Sequence, residues 1–324
     1  MSLVTAAKYP FISEAKRYVR TMGDRVNDYI IEKASERVRK AFENRLAVLP
    51  KSFIEKKDVA EEEILTYAIA KIMIAVIGDP YIRAKYSIGE AKRAFAYLSK
   101  EDKPVVDTVS RELGIEFSRA EDGKSYLVHF IPFIRNQPGS PEYLLINRNI
   151  KNGYVTVSEG EKNRLLEEAI RRHVERVVKP KNVPEKMIAT AEHLKKTLPR
   201  PVKKHERIGD TPPCIEHLMK EIYEHRNVPH IGRVYLTMYL NRIGWKKDGI
   251  IELFSNLPDF NIRITEYQVE YITSHNYNVP NCSTIRSYGL CVADCGIKNP
   301  MQYRKTVQHR KDVEGGGTKR LTKT

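Results

Sequence analysis

The chain has 324 residues, 41% of them hydrophobic and 30% charged, which excludes a disordered or fibrous protein and leaves length for about two domains with buried cores. Its 56 Lys and Arg against 41 Asp and Glu give a net charge of +15. Such a surface attracts polyanions, and nucleic acid is the commonest of these in a cell. Residues 1 to 20 show no apolar signal-peptide core. The most apolar stretch, ILTYAIAKIMIAVIG at 64 to 78, contains Lys71 and falls short of the roughly 18 apolar residues that a membrane span needs. The expected location is cytoplasmic, with no membrane contact, and nucleoid-associated if the basic charge meets DNA.

The first hundred residues read as successive helices. Asp58 and Glu61 have capping-box spacing, and Ile64, Leu65, Ala68, Ile69, Ile72, Met73, Val76 and Ile77 follow at helical period until Gly78 and Pro80 stop the run. Ser87 and Glu90 predict a second start, with Ala94, Phe95 and Leu98 facing inward. Glu61 to Glu63 read as helix surface. Between about 105 and 157 the texture changes. GIEFSR, SYLVHFIPFIR and EYLLINRNIKNGYVTVS predict strands of a small sheet, with Pro132 at an edge or bend. A small sheet needs a cover, so Tyr154, Val155 and Val157 are candidates for a partner-docking surface, unless the chain's own helices cover them. Helix resumes at Ser158 with Glu161 as its capping glutamate, runs through RLLEEAIRRHVERVV, and restarts at Pro184 with Met187, Ile188, Ala191, Leu194 and Leu198.

Residues 195 to 213, KKTLPRPVKKHERIGDTPP, have the composition of a basic, semi-rigid linker. This places a scaffold domain at 1–205, with an α/β subdomain at about 105–157, a second mostly helical domain at 206–308, and a disordered basic tail at 309–324. The fold class is mainly α (α+β). In the second domain Leu236, Met238, Leu240 and Ile243 predict a buried helix. Asp248 is a candidate cap for IIELFSNL, and Thr265 with Gln268 for YQVEYI.

The four cysteines are spaced C-x67-C-x8-C-x3-C, at Cys214, Cys282, Cys291 and Cys295. In an intracellular protein structural disulfides are disfavoured and metal ligation leads. The spacing fits neither two close zinc knuckles nor a ferredoxin run. Thiolates suit zinc or an iron–sulfur cluster, and buried thiols with no metal are a third reading. Pro212, Pro213 and Pro280 stiffen the approaches, while Gly289 and Gly296 permit turns.

PPCI at 212 to 215, HIGRVYLTMYLNRIGW at 230 to 245, YNVPNCSTIRSYGLC at 277 to 291 and CGIKNPMQYRK at 295 to 305 resemble the large, regulatory subunit of archaeal and eukaryotic DNA primase, in its archaeal form. The resemblance implies a helical N-terminal domain that docks the small catalytic subunit as a heterodimer, with room for a third subunit in the complex. It implies a C-terminal iron–sulfur domain in which Cys214, Cys282, Cys291 and Cys295 bind a [4Fe–4S] cluster. That domain would help to bind single-stranded template and the 5′-triphosphate of the initiating nucleotide. The polymerase carboxylates belong to the small subunit, so the chain is expected to be no enzyme on its own.

The residues themselves place basic groups near the cysteines. His225, Arg226, His230 and Arg233 fall within nine residues, with Gly232 expected just before an apolar helix. A helix N-terminus with added cations suits phosphate. The resemblance maps best onto His230 and Arg233, and Pro229 stands where eukaryotic relatives carry a basic residue. Tyr267, Tyr271 and Tyr277 lie among Arg263, His275 and Arg286. Such tyrosines can stack on bases, and Tyr267 and Tyr271 equally fit a helix core. Two rival functions are a stand-alone iron–sulfur nuclease or glycosylase and a zinc-dependent nucleic-acid-binding module. No P-loop or nucleophile elbow occurs in the chain.

Overall fold

A computed structural model describes residues 2–138, 141–178, 180–199 and 211–303. These form two compact units, one within residues 2–199 and one over 211–303. The predicted domain boundary near 205, most of the linker and the tail lie outside the described residues. The edges of the linker segment are helical, with 195–197 ending one helix and Pro213 opening another.

The first unit is helical, with one small sheet. Its helices are α1 (Leu3–Lys8), α2 (Ser13–Thr21), α3 (Asp28–Phe42), α4 (Lys51–Ile54), α5 (Lys57–Ile77), α6 (Pro80–Leu98), α7 (Lys103–Glu112), α8 (Phe130–Asn136), α9 (Glu159–Glu175) and α10 (Glu185–Thr197). Helix α5 is the hub: α1, α3 and α10 pack on it, while α6 packs on α3 and α9. The apolar run predicts this, because Ile64, Leu65, Ile69, Met73, Ile74 and Ile77 are all buried. Gly78 ends α5 at φ +64°, a conformation that glycine adopts without steric cost. Asp79 then caps α6, its Oδ1 accepting from the N–H groups of Tyr81 and Ile82, with Pro80 at the first helical position. The two long helices therefore turn on two residues.

Two predicted starts are corrected. Lys56, with no side-chain cap, precedes α5, so Asp58 sits in its first turn. Ser87 and Glu90 are buried mid-helix in α6. Glu90 faces inward because Arg37 waits there, donating from Nε at 2.6 Å and from Nη2 at 2.9 Å. Glu63, expected at the surface, accepts from Arg37 at 2.7 Å and from Arg93 at 2.8 Å. Burial alone would raise its pKa, but the two guanidiniums outweigh it and hold the carboxyl below its usual value. Helices α3 and α6 meet at Gly89, where a Cβ would lie 2.2 Å from the Ala41 carbonyl oxygen. Lys71 interrupts the apolar stretch for a reason: its ammonium donates to the carbonyls of Val174 and Arg176, closing the C-terminus of α9. Burial pulls its pKa down to about 8.

The sheet is antiparallel in the order β1–β2–β4–β3, from β1 (Ser118–Arg119), β2 (Tyr126–His129), β3 (Ile150–Lys151) and β4 (Tyr154–Val157). Val128 pairs with Val155 and Tyr126 with Val157. Val128, Val155 and Val157 are buried in the same core as the helices, so this chain covers that face. As docking residues Val155 and Val157 are thereby corrected, and Tyr154, 43% exposed, remains. The predicted strand through Pro132 is also corrected. His129 caps α8, and Pro132 sits in its first turn, where a missing N–H has no partner to lose. Tyr154 meets His129 edge-on at 5.6 Å, and Ile131 and Ile150 are exposed around this corner. The capping box at Ser158 and Glu161 forms as predicted. Arg148 ties it back to the sheet, bonding Glu161 at 2.6 and 3.1 Å and the Thr156 carbonyl at 2.7 Å.

The second unit holds α11 (Pro213–Tyr223), α12 (His230–Arg242), α13 (Lys247–Phe254), α14 (Ile262–Ser274) and α15 (Cys282–Ser287). Helices α11, α13 and α14 each pack on α12, around Ile215, Leu218, Leu236, Leu240, Leu253 and Val269. Met238 and Ile243 only flank this core. Lys246 precedes α13, so Asp248 is a first-turn residue. Asn261 caps α14, which leaves Thr265 and Gln268 inside the helix. Beyond α14 the described chain is largely irregular, apart from α15 and a 3-10 turn at Pro300–Gln302. Among the described residues no helix is long and apolar enough to cross a membrane.

Candidate functional site

The thiols come from one helix and one arm. Pro212 and Pro213 open α11, with Pro213 at the first helical position, and set Cys214 in the first turn. Cys214 is 8% exposed, and its Sγ lies 3.2 Å from the Tyr235 hydroxyl of α12. Cys282 opens α15, and its backbone N–H donates to the Lys298 carbonyl at 2.9 Å. Asn299 secures the same corner through bonds to the Val279 carbonyl and to Asn281 Oδ1, both 3.1 Å. Gly289, at φ +68°, ends α15. The N–H of Leu290 then reaches the Ile285 carbonyl at 3.1 Å and that of Gly289 the Arg286 carbonyl at 2.9 Å. This is a Schellman closure, with Leu290 and Ile285 as its buried apolar pair. Burying Leu290 delivers Cys291 at the next position. Cys291 and Cys295 both donate to the Ala293 carbonyl, at 3.3 and 3.7 Å.

All four cysteines line one cavity, together with Ile285, Arg286 and Pro300. All four are free thiols. Burial first, and then neighbouring thiols, pushes the Cys214 and Cys282 thiols up, and the Cys295 thiol rises for the same reasons. Four thiolates this close repel one another, and a cationic core would reverse that effect. Among the described residues no group of three or more His, Cys, Asp or Glu side chains is gathered to hold a single metal ion. The thiols surround one space, and an all-sulfur donor set suits either zinc or an iron–sulfur cluster. Arg286 stands at its rim, 55% exposed, pairing with Asp294 at 2.8 Å and facing Cys291, which raises the guanidinium pKa.

The predicted phosphate residues divide. His230 opens α12 and is exposed, and Arg233 follows one turn later. Both line a mixed polar cavity with Thr237, Asp259, Asn261 and Gln268. His225 and Arg226 are absent from that lining. His225 sits at φ +57° and bonds the Asn256 carbonyl through Nδ1 at 2.9 Å. Arg226 pairs with Glu221 and Glu224. Gly232, expected before the helix, is its third residue. It is buried where a Cβ would lie 3.0 Å from Val228 Cγ1 and 3.2 Å from Leu218 Cδ2. Arg233 is already engaged: Nη2 bonds both oxygens of Asp259, at 2.9 and 2.7 Å, and Nε donates to the Val228 carbonyl at 2.8 Å.

The tyrosines face solvent, which corrects the core alternative. Tyr267 is 70% exposed, Tyr271 48% and Tyr277 39%. They form a row: Tyr267 stacks on Tyr271 at 6.4 Å, His275 lies 4.3 Å from Tyr271, and Tyr277 stacks on His275 at 5.6 Å. Exposed rings already aligned offer a stacking surface to unpaired bases. Sequence reasoning does not single out Asp259 or Tyr235. Neither carries a local motif, since Asp259 acts 26 residues from Arg233 and Tyr235 acts 21 residues from Cys214.

Comparison with known proteins supplies an independent line. Residues 204–320 match the family model for the C-terminal domain of the eukaryotic and archaeal DNA primase large subunit. The DNA primase large subunit PriL of Methanocella arvoryzae is 32% identical, over 97% of this chain and 91% of the relative. The proteins of the same name from Methanococcoides burtonii and Methanosarcina mazei are 29% and 30% identical, over 92% and 95% of this chain and 90% of each relative.

Proposed function

The chain belongs to the DNA primase large subunit family, and from that membership we propose that it is the accessory, non-catalytic subunit of a primer-synthesising complex in DNA replication. Nucleotide joining falls to a small catalytic subunit. This chain docks that subunit through its first unit and presents template and the initiating nucleotide through its second. The complex works in the cytoplasm, at replicating DNA.

Cys214, Cys282, Cys291 and Cys295 hold a [4Fe–4S] cluster in this reading. The single observation that carries it is their convergence on one cavity from separated segments, in the same unit as the His230–Arg233 cavity and the tyrosine row. The cluster supplies a cationic core that satisfies four thiolates and ties the irregular arm to α11. His230 and Arg233 receive the 5′-triphosphate at the N-terminus of α12, where free N–H groups favour an anion. Tyr267, Tyr271 and Arg286 meet the template strand. The exposed corner of Tyr154 and Ile131 offers the first unit's docking surface to the small subunit.

The test is anaerobic purification with iron, sulfide and zinc quantified, followed by capture of the small subunit and a primer-synthesis assay. About four irons and four sulfides per chain, stable capture, and synthesis only by the pair support the reading. Zinc without sulfide refutes the cluster, and turnover by the isolated chain refutes the accessory role.

A further inference from the structure

Side-chain donors on Tyr235 and Arg286 stand beside the sulfurs, and they differ in setting. Arg286 lies at the surface, beside Cys291. Tyr235 lies inside: it is 1% exposed, and its hydroxyl is 3.2 Å from Cys214 Sγ. A buried phenol needs a partner for its O–H, and here the partner is the Cys214 sulfur. Once Cys214 is a metal-bound thiolate it has no proton to give, so the direction of the bond is settled: Tyr235 donates and the sulfur accepts.

We propose that Tyr235 is a positioning residue for the cysteine site, its hydroxyl donating a buried hydrogen bond to Cys214 Sγ that holds this ligand in place and favours the reduced state of the bound core. This rests on the cluster reading above. The reasoning is electrostatic. A hydrogen bond to a ligand sulfur draws negative charge from it, and one-electron reduction adds negative charge to the core, so the bond strengthens on reduction and raises the potential. Low dielectric around a nearly inaccessible hydroxyl magnifies the effect relative to a surface donor such as Arg286. The geometry adds a second consequence. Tyr235 belongs to α12, the helix that His230 opens, so a single rigid element touches both the sulfur site and the phosphate-facing cavity.

The experiment uses the full chain, purified anaerobically, with iron and sulfide measured before film voltammetry. Tyr235→Phe keeps the ring and removes the donor. Its potential is expected to fall by the equivalent of a three- to tenfold change in the reduction equilibrium, the upper end being about 59 mV for one electron. Its Fe–S(Cys) stretching bands in resonance Raman spectra are expected to shift with it. Tyr239→Phe, which removes a buried hydroxyl one turn further along α12, is expected to keep the wild-type potential. If wild-type protein holds no iron and sulfide, the cluster reading and this assignment both fall. If iron is present and Tyr235→Phe leaves the potential unchanged, or Tyr239→Phe shifts it equally, the assignment fails while the cluster reading stands. Should Tyr235→Phe lose its iron, replacing the Tyr235 side chain with 3-fluorotyrosine decides, because a stronger donor of nearly the same size is expected to raise the potential. An unmoved potential there overturns the assignment.

Discussion

Removing Arg233 and removing its partner Asp259 separate two roles that the structure superimposes. Arg233 bonds both Asp259 oxygens and the Val228 carbonyl, so Arg233→Ala loosens the start of α12 whether or not it binds phosphate. The ion pair is intermediate in exposure, 22% on the arginine and 30% on the aspartate. Its loss therefore costs between a surface and a buried pair, about 1–2 kcal/mol of stability. Asp259→Asn removes the same pair while leaving the guanidinium. Both variants are expected to lower the melting temperature by similar amounts. They are expected to part company on phosphate, because a charge-assisted bond to the triphosphate contributes about 1.5–3 kcal/mol, or about ten- to a hundredfold in affinity. The assay is fluorescence anisotropy at fixed salt, with primer–template duplexes carrying either a 5′-triphosphate or a 5′-hydroxyl. Arg233→Ala is expected to erase the preference for the triphosphate. Asp259→Asn is expected to keep or raise it, since an anion has left the cavity. If Arg233→Ala destabilises the chain yet leaves the preference at the wild-type ratio, Arg233 is a fastener of the loop and the triphosphate assignment is wrong.

Three further outcomes follow from other residues. Glu90→Gln leaves Arg37, 5% exposed, with Glu63 as its remaining carboxylate partner, and a melt of the first unit is expected to show a loss of about 1–3 kcal/mol. The lowered Glu63 pKa makes a signed prediction. Its stabilisation is complete above the usual 4.5 and is lost as pH falls through the depressed folded value. The urea midpoint is therefore expected to drop as pH falls below about 4.5, and Glu63→Gln to flatten that dependence. Gly232→Ala pushes a methyl against Val228 and Leu218 and is expected to cost about 1–3 kcal/mol by overpacking, read as a lower denaturation midpoint of the second unit.

The long periodic segments are legible in the sequence. The α5 stripe, its Gly78 stop, the Ser158–Glu161 box and the presence of a small sheet between Ser118 and Val157 follow from local pattern, while the helices α7 and α8 within 105–157 do not. Helix starts are less legible. At Asp58, Ser87, Asp248 and Thr265 an acid or hydroxyl followed by Glu, Ile or Gln resembles a cap, yet each lies within a helix already under way. Acidic first turns favour the helix dipole and produce the same local spelling. Asp79 escapes notice because Pro80 reads only as a stop. Side chains whose partners are distant are illegible: Glu90 finds Arg37 across 53 residues, and nothing near Glu90 announces that it points inward. The cysteine set is the opposite case, since thiol scarcity and spacing alone bring four residues into one hypothesis. The basic run around 225 misleads by proximity. A left-handed turn at His225 and acidic neighbours of Arg226 divert both from the cavity that His230 and Arg233 share.

The second unit has one cysteine on its helical hub and three on the arm that follows α14. The hub's helices, from Pro213 to Ser274, bury their own apolar faces, while the arm contributes Val279, Ile285 and Leu290 to that core. In the cluster reading fastening is thus doubled, with greasy contacts laid down beside the thiol clasp. A chain stripped of whatever the sulfurs grip should keep its bundle and let only the trailing limb wander. Oxidative loss would then be local and repairable by reloading, with no need to rebuild the remainder from an unfolded state.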